Sequence, residues 1–444
     1  MPFIDLREFL TFLEQEKDLV RIEREVDPIH EIAAYIRKTS DRQGPALLFE
    51  HVKGSQMPVI GGLFAAQRRL LKVLGVADQR SAVEKLVESM ADPIPSITVP
   101  NGACTEVCHT GSDVDLTRLP VMTSSEKDVA PFITMGLAIS KDPDSGRRNL
   151  GLYRLQLKSK NRLGIMAQHL AIHLARAETK GRGLPIAIAL GVSPELLIAS
   201  QWKAPYRVDE LGLAGRVLGR PVELVKAATV DLEVPAHAEI IIEGIVLPNE
   251  RESEGPFGEF SGYYQPPSSK PVIEVTAITH RKNPLYLAGL TGMPTTENHV
   301  LKQIPLEATF LNALRRQFCG VHSVHFPFCG GAGYLLIVSM KKTREFEPRN
   351  LIATALGMAG PKYVIVVDED IDIYDLEKVL WAVCTRSQPA RDALILSQIN
   401  GAPLDPSARA PHCTEAMGID ATLPKDGSFP EMVTIPGLEN VPDF

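Results

Sequence analysis

Apolar positions in the first hundred residues alternate between helical and strand-like spacing. Leu6, Phe9, Leu10 and Leu13 recur three and four apart, so they share one helix face, and Asp5 stands at the N-cap position. A strand is predicted over 19–26. Asp27-Pro28 then opens a second helix with Pro at its first position. Residues 46–50 and 59–63 read as strands, and 66–74 and 80–91 as helices. Pro93, Pro95 and Pro100 break off this α/β unit.

Beyond it the period shortens to two. Runs at 133–140, 150–158, 185–190, 222–225, 238–247, 272–280 and 285–290 are β-branched or alternating, and one clear helix, near 170–179, interrupts them. Many strands with few helices predict a barrel-like or sandwich core. Past residue 300 the pattern changes again. Helices at 300–317, 348–358 and 375–384 and strands at 334–340 and 363–368 predict an α/β domain with a partly parallel sheet. The last thirty residues are Pro-rich and irregular, the pattern of a tail packed on a neighbour.

Composition changes little in this picture. The chain has 444 residues, 44 % apolar and 23 % charged, enough for two or three domains. A net charge of −7 gives no support for nucleic acid or an anionic membrane as partner. No apolar run approaches the ~20 residues of a membrane span. Asp5, Arg7 and Glu8 lie where a signal peptide would be apolar, so none is expected. Six Cys make no disulfide framework and fit a reduced, cytoplasmic setting.

The candidate chemistry gathers at 254–264, Glu-Gly-Pro-Phe-Gly-Glu-Phe-Ser-Gly-Tyr-Tyr. Gly255, Pro256, Gly258 and Gly262 exclude a regular helix and leave a loop or the wall of a site. Glu254 and Glu259 would suit general acid/base work, one ionised and one kept protonated by its surroundings. A solvated acidic turn would show the same residue types. Arg154 lies in an apolar run (Leu150, Leu152, Leu155, Leu157) and needs a partner if buried, for which Glu254 is the candidate. A strand-edge Arg in water is the alternative. Asn149 is an odd number of residues from Arg154, so it either precedes the strand or faces away from Arg154.

Two His/Cys patterns carry less. His169 and His173 are four apart, but no Glu follows His169, so the zinc-protease motif is absent. Cys319, His322, His325 and Cys329 look like a zinc site, but the two His are too close for a finger and the segment is strand-like. Cys104, Cys108 and His109 are a weaker set still. Rossmann and Walker phosphate loops are absent, so a nucleotide phosphate would be met through a divalent metal and a Lys.

The 254–264 loop resembles the active-site loop of the UbiD family of decarboxylases, which use prenylated FMN to remove CO2 from aromatic and α,β-unsaturated acids. The resemblance runs from about residue 5 to 425 with its motifs in order. It includes Phe132-Ile133-Thr134, Asn149 with Arg154, Gln168-His169, Asp209-Glu210-Leu211, Glu254 with Glu259, and Lys362 before Tyr363-Val364-Ile365-Val366. It implies a mixed α/β (α+β) fold, with a central split β-barrel flavin-binding domain (104–295) between a small N-terminal α/β unit (1–103) and a C-terminal α/β oligomerisation domain (296–444). It implies that Asn149, His169 and Glu210 bind Mn²⁺ at the flavin phosphate, with K⁺ nearby. Thr134, Leu152, Tyr153, Arg154, Gln168 and Lys362 would contact the flavin. Arg154, Glu254 and Glu259 would be the catalytic group. Asn298, His299 and Gln303 would be polar groups beside the substrate and Ile304 an apolar wall, although His299 and Asn298 would also serve as helix caps.

The expected partners are a small carboxylic acid, a flavin prenyltransferase of the UbiX type as cofactor supplier, and further copies of the chain in a homodimer or higher homo-oligomer. The chain ends at Phe444 without the extra C-terminal segment of ubiquinone-pathway members, which argues against that pathway. Two rival readings remain: a non-catalytic flavin-binding or interaction protein, and a simple FMN oxidoreductase.

Overall fold

The computed structural model describes residues 2–166, 170–203, 208–358, 360–402, 404–410, 413–437 and 440–442. Its centre is a closed antiparallel barrel of six strands: β1 (Phe132–Lys141), β2 (Arg148–Ser159), β3 (Arg162–Ile165), β4 (Leu184–Leu190), β5 (Ile240–Glu254) and β6 (Ser268–His280). The order around the barrel is β5-β4-β1-β2-β3-β6, and β6 pairs back with β5. Strand Val107–Thr110 adds to the outer part of β6. Alternation along β4 serves two layers. Ile186, Ile188 and Leu190 pack into one apolar cluster, and Ala187 and Ala189 into another. Being buried on both faces, β4 carries no polar alternation.

Two irregularities shape the site. The β1–β2 register slips between Ile133 and Gly136, so Thr134 and Met135 form a bulge. The β5–β6 pairing resumes at Arg251 after a second shift and runs to Glu254, opposite Ser268. The barrel therefore extends a long two-stranded arm, and the 254–264 loop lies at its end.

The N-terminal helix Leu6–Gln15 buries the Leu6, Phe9, Leu10, Leu13 stripe, and Asp5 caps it by accepting from the Glu8 N–H at 2.9 Å. The other Asp5 oxygen accepts from Arg281 at 2.8 Å, which ties this helix to the end of β6. The second helix spans Glu31–Asp41, not from Pro28 as expected. Asp27 accepts from the Ile29 N–H and Glu31 accepts from the Asp27 N–H, so this stretch is a side-chain-closed turn. The strand expected over 19–26 stops at Ile22. Tyr286–Leu287, expected among the core strands, instead joins the N-terminal sheet beside Val59–Gly61. Glu223–Lys226 likewise lies outside the barrel, in a small sheet with Glu233–Pro235 and Ile97–Thr98.

Helices Pro194–Ala199 and Glu210–Leu218 also interrupt the strand-rich region. The second contains Gly212 and Gly215, which hide its helical character. A Cβ at Gly215 would stand 2.5 Å from the Ile94 carbonyl oxygen, so close chain approach requires the glycine.

The C-terminal part opens with the long helix Glu297–Arg315 and continues into a five-stranded mixed sheet. Its strands run in the order Val321–His325, Leu335–Met340, Tyr363–Asp368, Cys413–Ala421 and Ala393–Asn400. Among the described residues, no helix is long and apolar enough to cross a membrane.

Candidate active site

Glu254 ends β5, and the chain then turns at Gly255, whose φ of +94° favours glycine. Phe257–Gly258 pairs with Tyr264–Gln265, and the Glu259 N–H donates to the Tyr263 carbonyl at 3.0 Å. The loop is thus closed on itself. Asp128 fixes it from outside by accepting from the Gly258 N–H at 2.9 Å and the Ser125 N–H at 2.8 Å. A side chain at 258 would meet Ser125 Oγ at 2.8 Å. Burial raises the Asp128 pKa against the pull of these N–H groups.

Arg154 projects from β2 into this loop. Its Nε and Nη2 donate to the two oxygens of Glu254 at 2.9 and 2.8 Å, and Nη1 donates to Glu259. The Phe257 ring lies 4.9 Å from the guanidinium carbon. The three charged side chains are 8 %, 0 % and 9 % exposed, so the solvated-turn reading fails. Burial alone would lower the Arg154 pKa, but the two carboxylates outweigh it and the net shift is upward. Gln156, two residues along the same face, accepts from the Gly255 N–H at 3.2 Å.

Asn149 lies within β2, where the pairing with β1 runs unbroken from Arg148 to Tyr153. Of the two placements open from sequence, the structure therefore gives the one facing away from Arg154. The Leu150 N–H donates to Glu210 at 3.2 Å, which brings Glu210 beside Asn149. Burial pushes the Glu210 carboxyl up to about 7, and the Asn149 side-chain nitrogen is buried without a partner. A buried acid beside an orphaned amide fits a divalent cation. Gln168 and His169 lie outside the described residues. Among the described residues, no group of three His, Cys, Asp or Glu side chains could hold a metal. His325 instead bonds Glu307 at 2.9 Å, and His322 lies 3.3 Å from Arg80.

A cavity of about 280 Å³ opens in front of the Arg154 group. Thr134, Leu152, Tyr153, Arg154 and Glu259 line it from the barrel and loop. Thr134 is held by donating to the Gly289 carbonyl at 2.6 Å. Asn298 and Tyr334 line the far side. Glu254 sits behind Arg154 and does not reach the cavity. Apolar walls from Met135, Leu152, Met166 and Leu290 suit a flat ring system, and Glu210 lies within electrostatic reach of Tyr153. These residues fit a flavin with a metal at its phosphate.

The structure does not bring every expected residue to this cavity. His299 is fully buried, and its Nδ1 closes a capping box with Thr296, at 3.1 Å from the backbone nitrogen and 2.8 Å from Oγ1. Its Nε2 lies 2.8 Å from the Phe260 carbonyl oxygen, so both ring nitrogens are engaged within the protein. Gln303 donates to the Phe326 carbonyl at 2.8 Å and accepts from Gln67 at 2.7 Å, and Ile304 is core. The expectation that these three line a substrate site is corrected to helix cap, interdomain hydrogen bond and packing. Lys362 donates to Asp405 at 3.0 Å and to Ser407, and does not line the cavity.

Two lysines that sequence reasoning passed over do line it, Lys203 and Lys302. Lys302 is four residues from Asn298 on one helix face, and that spacing was the available signal.

Three family models match the chain. They describe the 3-octaprenyl-4-hydroxybenzoate carboxy-lyase N-terminal domain (10–90), Rift-related domain (97–294) and C-terminal domain (299–421). The chain belongs to the UbiD family. Its fold is that of the UbiD-class enzyme HmfF from Pelotomaculum thermopropionicum in complex with FMN, at 42 % identity and TM-score 0.90 over 99 % of both chains. An evolved dimeric form of that enzyme in complex with prenylated FMN is 40 % identical, with TM-score 0.89 over 99 % of both chains. Vanillic acid decarboxylase from Sedimentibacter hydroxybenzoicus, in closed form, is 31 % identical with TM-score 0.93, over 99 % of this chain and 98 % of that one. This UbiD member is accordingly a carboxy-lyase of the prenylated-FMN class.

Proposed function

We propose that this UbiD enzyme reversibly decarboxylates a small aromatic, heteroaromatic or α,β-unsaturated acid, using Arg154 to hold the carboxylate and Glu259 as proton donor. The observation that carries this reading is the Arg154 guanidinium clamped between Glu254 and Glu259 at the edge of the cavity. Prenylated FMN, when bound, supplies the electron sink for breaking the carbon–carbon bond. Thr134, Leu152 and Tyr153 would contact it. Asn149 and Glu210, with His169, would hold Mn²⁺ at its phosphate, with K⁺ nearby.

The bidentate bond to Glu254 fixes the plane of Arg154, while Glu259 takes only one oxygen's worth of it. A substrate carboxylate entering the cavity competes with Glu259 for Nη1. Once displaced, Glu259 no longer pairs with a cation and is free to take a proton from solvent. It is then a carboxylic acid beside the reacting carbon. CO2 leaves, the electron pair stays on the substrate, and Glu259 delivers the proton to the vacated carbon. Solvent returns a proton to Glu259.

Protein made alongside a UbiX-type flavin prenyltransferase is expected to release CO2 from at least one member of an aromatic and enoic acid panel. Protein made without it is expected to release none. Robust release by the second preparation would remove prenylated FMN from the reading, and nicotinamide oxidation in place of CO2 release would favour a plain FMN oxidoreductase.

Asn149→Ala and Glu210→Ala are each expected to purify with metal and flavin lowered together, read by elemental analysis and flavin absorbance. Wild-type metal and flavin content in both variants would free these residues of the proposed role. The same purified protein is expected to elute as a homo-oligomer.

A further inference from the structure

Lys302 has no use in the chemistry described so far. It projects from the long helix Glu297–Arg315 into the cavity wall. Its ammonium donates to the Gly331 carbonyl at 2.9 Å and stands 3.8 Å from the centre of the Phe260 ring, next in chain to Glu259. A Cβ at Gly333 would approach it to 3.3 Å, so the Gly331–Gly333 turn closes over it tightly. Among the described residues no carboxylate lies within ion-pair distance of it. Arg154 in the same cavity has two carboxylates, whereas Lys302 has one carbonyl and an aromatic face. An ammonium out of bulk water with so few partners is costly unless an anion joins it.

From these contacts we infer that Lys302 is a specificity-determining residue that pairs with a second anionic oxygen substituent, foremost a second carboxylate, on the ring of the acid substrate. The inference rests on the decarboxylase reading for its site and deepens it by naming the substrate class. The reacting carboxylate goes to Arg154 beside Glu259, and the second substituent reaches Lys302 over the Phe260 ring. Leaving a buried cation unpaired disfavours acids that lack the group, which is how such a site discriminates.

Burial lowers the Lys302 pKa to about 7, with Lys203 adding to the fall and Glu259 opposing it. The charged and titratable groups around it are Glu259 on the loop, Arg154 on β2, Lys203, His299 on its own helix and Tyr334 from the turn before strand Leu335–Met340. Only the ammonium form binds an anion. Affinity for a diacid should thus hold below about pH 7 and fall about tenfold per pH unit above it.

The test is equilibrium binding to flavin-loaded enzyme, with benzoate, isophthalate, terephthalate and the monomethyl esters of the two diacids as probes. At least one diacid is expected to bind tenfold or more tightly than its monoester. Lys302→Met should erase that ratio and Lys302→Arg should keep it, with the pH dependence near 7 lost in the arginine variant. Equal binding of diacid and ester by wild type, or a ratio that survives in Lys302→Met, overturns the inference. So does reduced flavin content in Lys302→Met, which would make Lys302 a cofactor ligand. If Lys302→Met does not fold, the wild-type and Lys302→Arg pH profiles decide, since coincident profiles contradict the inference. CO2 release is scored separately. A diacid that binds through Lys302 without being decarboxylated sinks the decarboxylase reading alone, whereas CO2 release with no binding preference sinks the Lys302 inference alone.

Discussion

Glu259→Gln is expected to lower CO2 release by about 10²- to 10⁴-fold, the span of a lost general acid, while the purified protein keeps its flavin. Glutamine preserves the shape of the side chain and can still accept from Arg154 Nη1 through its carbonyl oxygen. Its NH2 group takes the place of Oε2, so the Phe260 N–H, 3.2 Å from that oxygen in the wild type, loses its acceptor. The loop should still stay closed, because its turn is held by backbone bonds from Glu259 and Gly262. Beyond that one weak bond, only the capacity to carry a proton is removed. A loss in kcat with little change in KM is the expected signature, since the step affected follows substrate binding. Retention of more than about a tenth of the wild-type rate would take Glu259 out of the general-acid role.

The second large effect is on stability. Glu254→Ala is expected to cost about 3–5 kcal/mol, the scale for removing one member of a buried ion pair. Glu254 is fully buried and supplies both oxygens to Arg154, which is itself 8 % exposed. Without it, Arg154 keeps one bond to Glu259 and the ring of Phe257, and two of its N–H groups lose their acceptor. Glu254→Gln should cost less, because one oxygen remains. Denaturant melts of the two variants against wild type would show this order. A loss below about 1 kcal/mol in Glu254→Ala would mean that water or Glu259 replaces the missing carboxylate without strain.

The Arg154–Glu254 contact was legible in the sequence because an arginine in an apolar strand has few alternatives to an acid close by in space. The N-terminal helix was legible for a similar reason, since its apolar stripe and Asp5 cap point the same way. Other features were masked by competing physics. Helix Glu210–Leu218 carries two glycines required by close approach of neighbouring chain, and these argue locally against a helix. Strand Ala393–Asn400 lies at the edge of its sheet and is interrupted by a bulge between Leu396 and Ile399, so its alternation is broken. His299 looked like a substrate ligand from its neighbours, yet Thr296 three residues before it already signalled a capping box. The four-residue spacing from Asn298 could place Lys302 on the cavity face, but its contacts with Gly331 and Phe260 are tertiary and could not be read from the helix alone.

Proton exchange isolates the step assigned to Glu259 from the loss of CO2. Flavin-loaded enzyme is incubated in D2O with the decarboxylated product of whichever acid it accepts. Wild type is expected to place deuterium at the carbon that had carried the carboxylate, and Glu259→Gln to place essentially none there. Exchange by Glu259→Gln at the wild-type rate would contradict the assignment of the proton to Glu259.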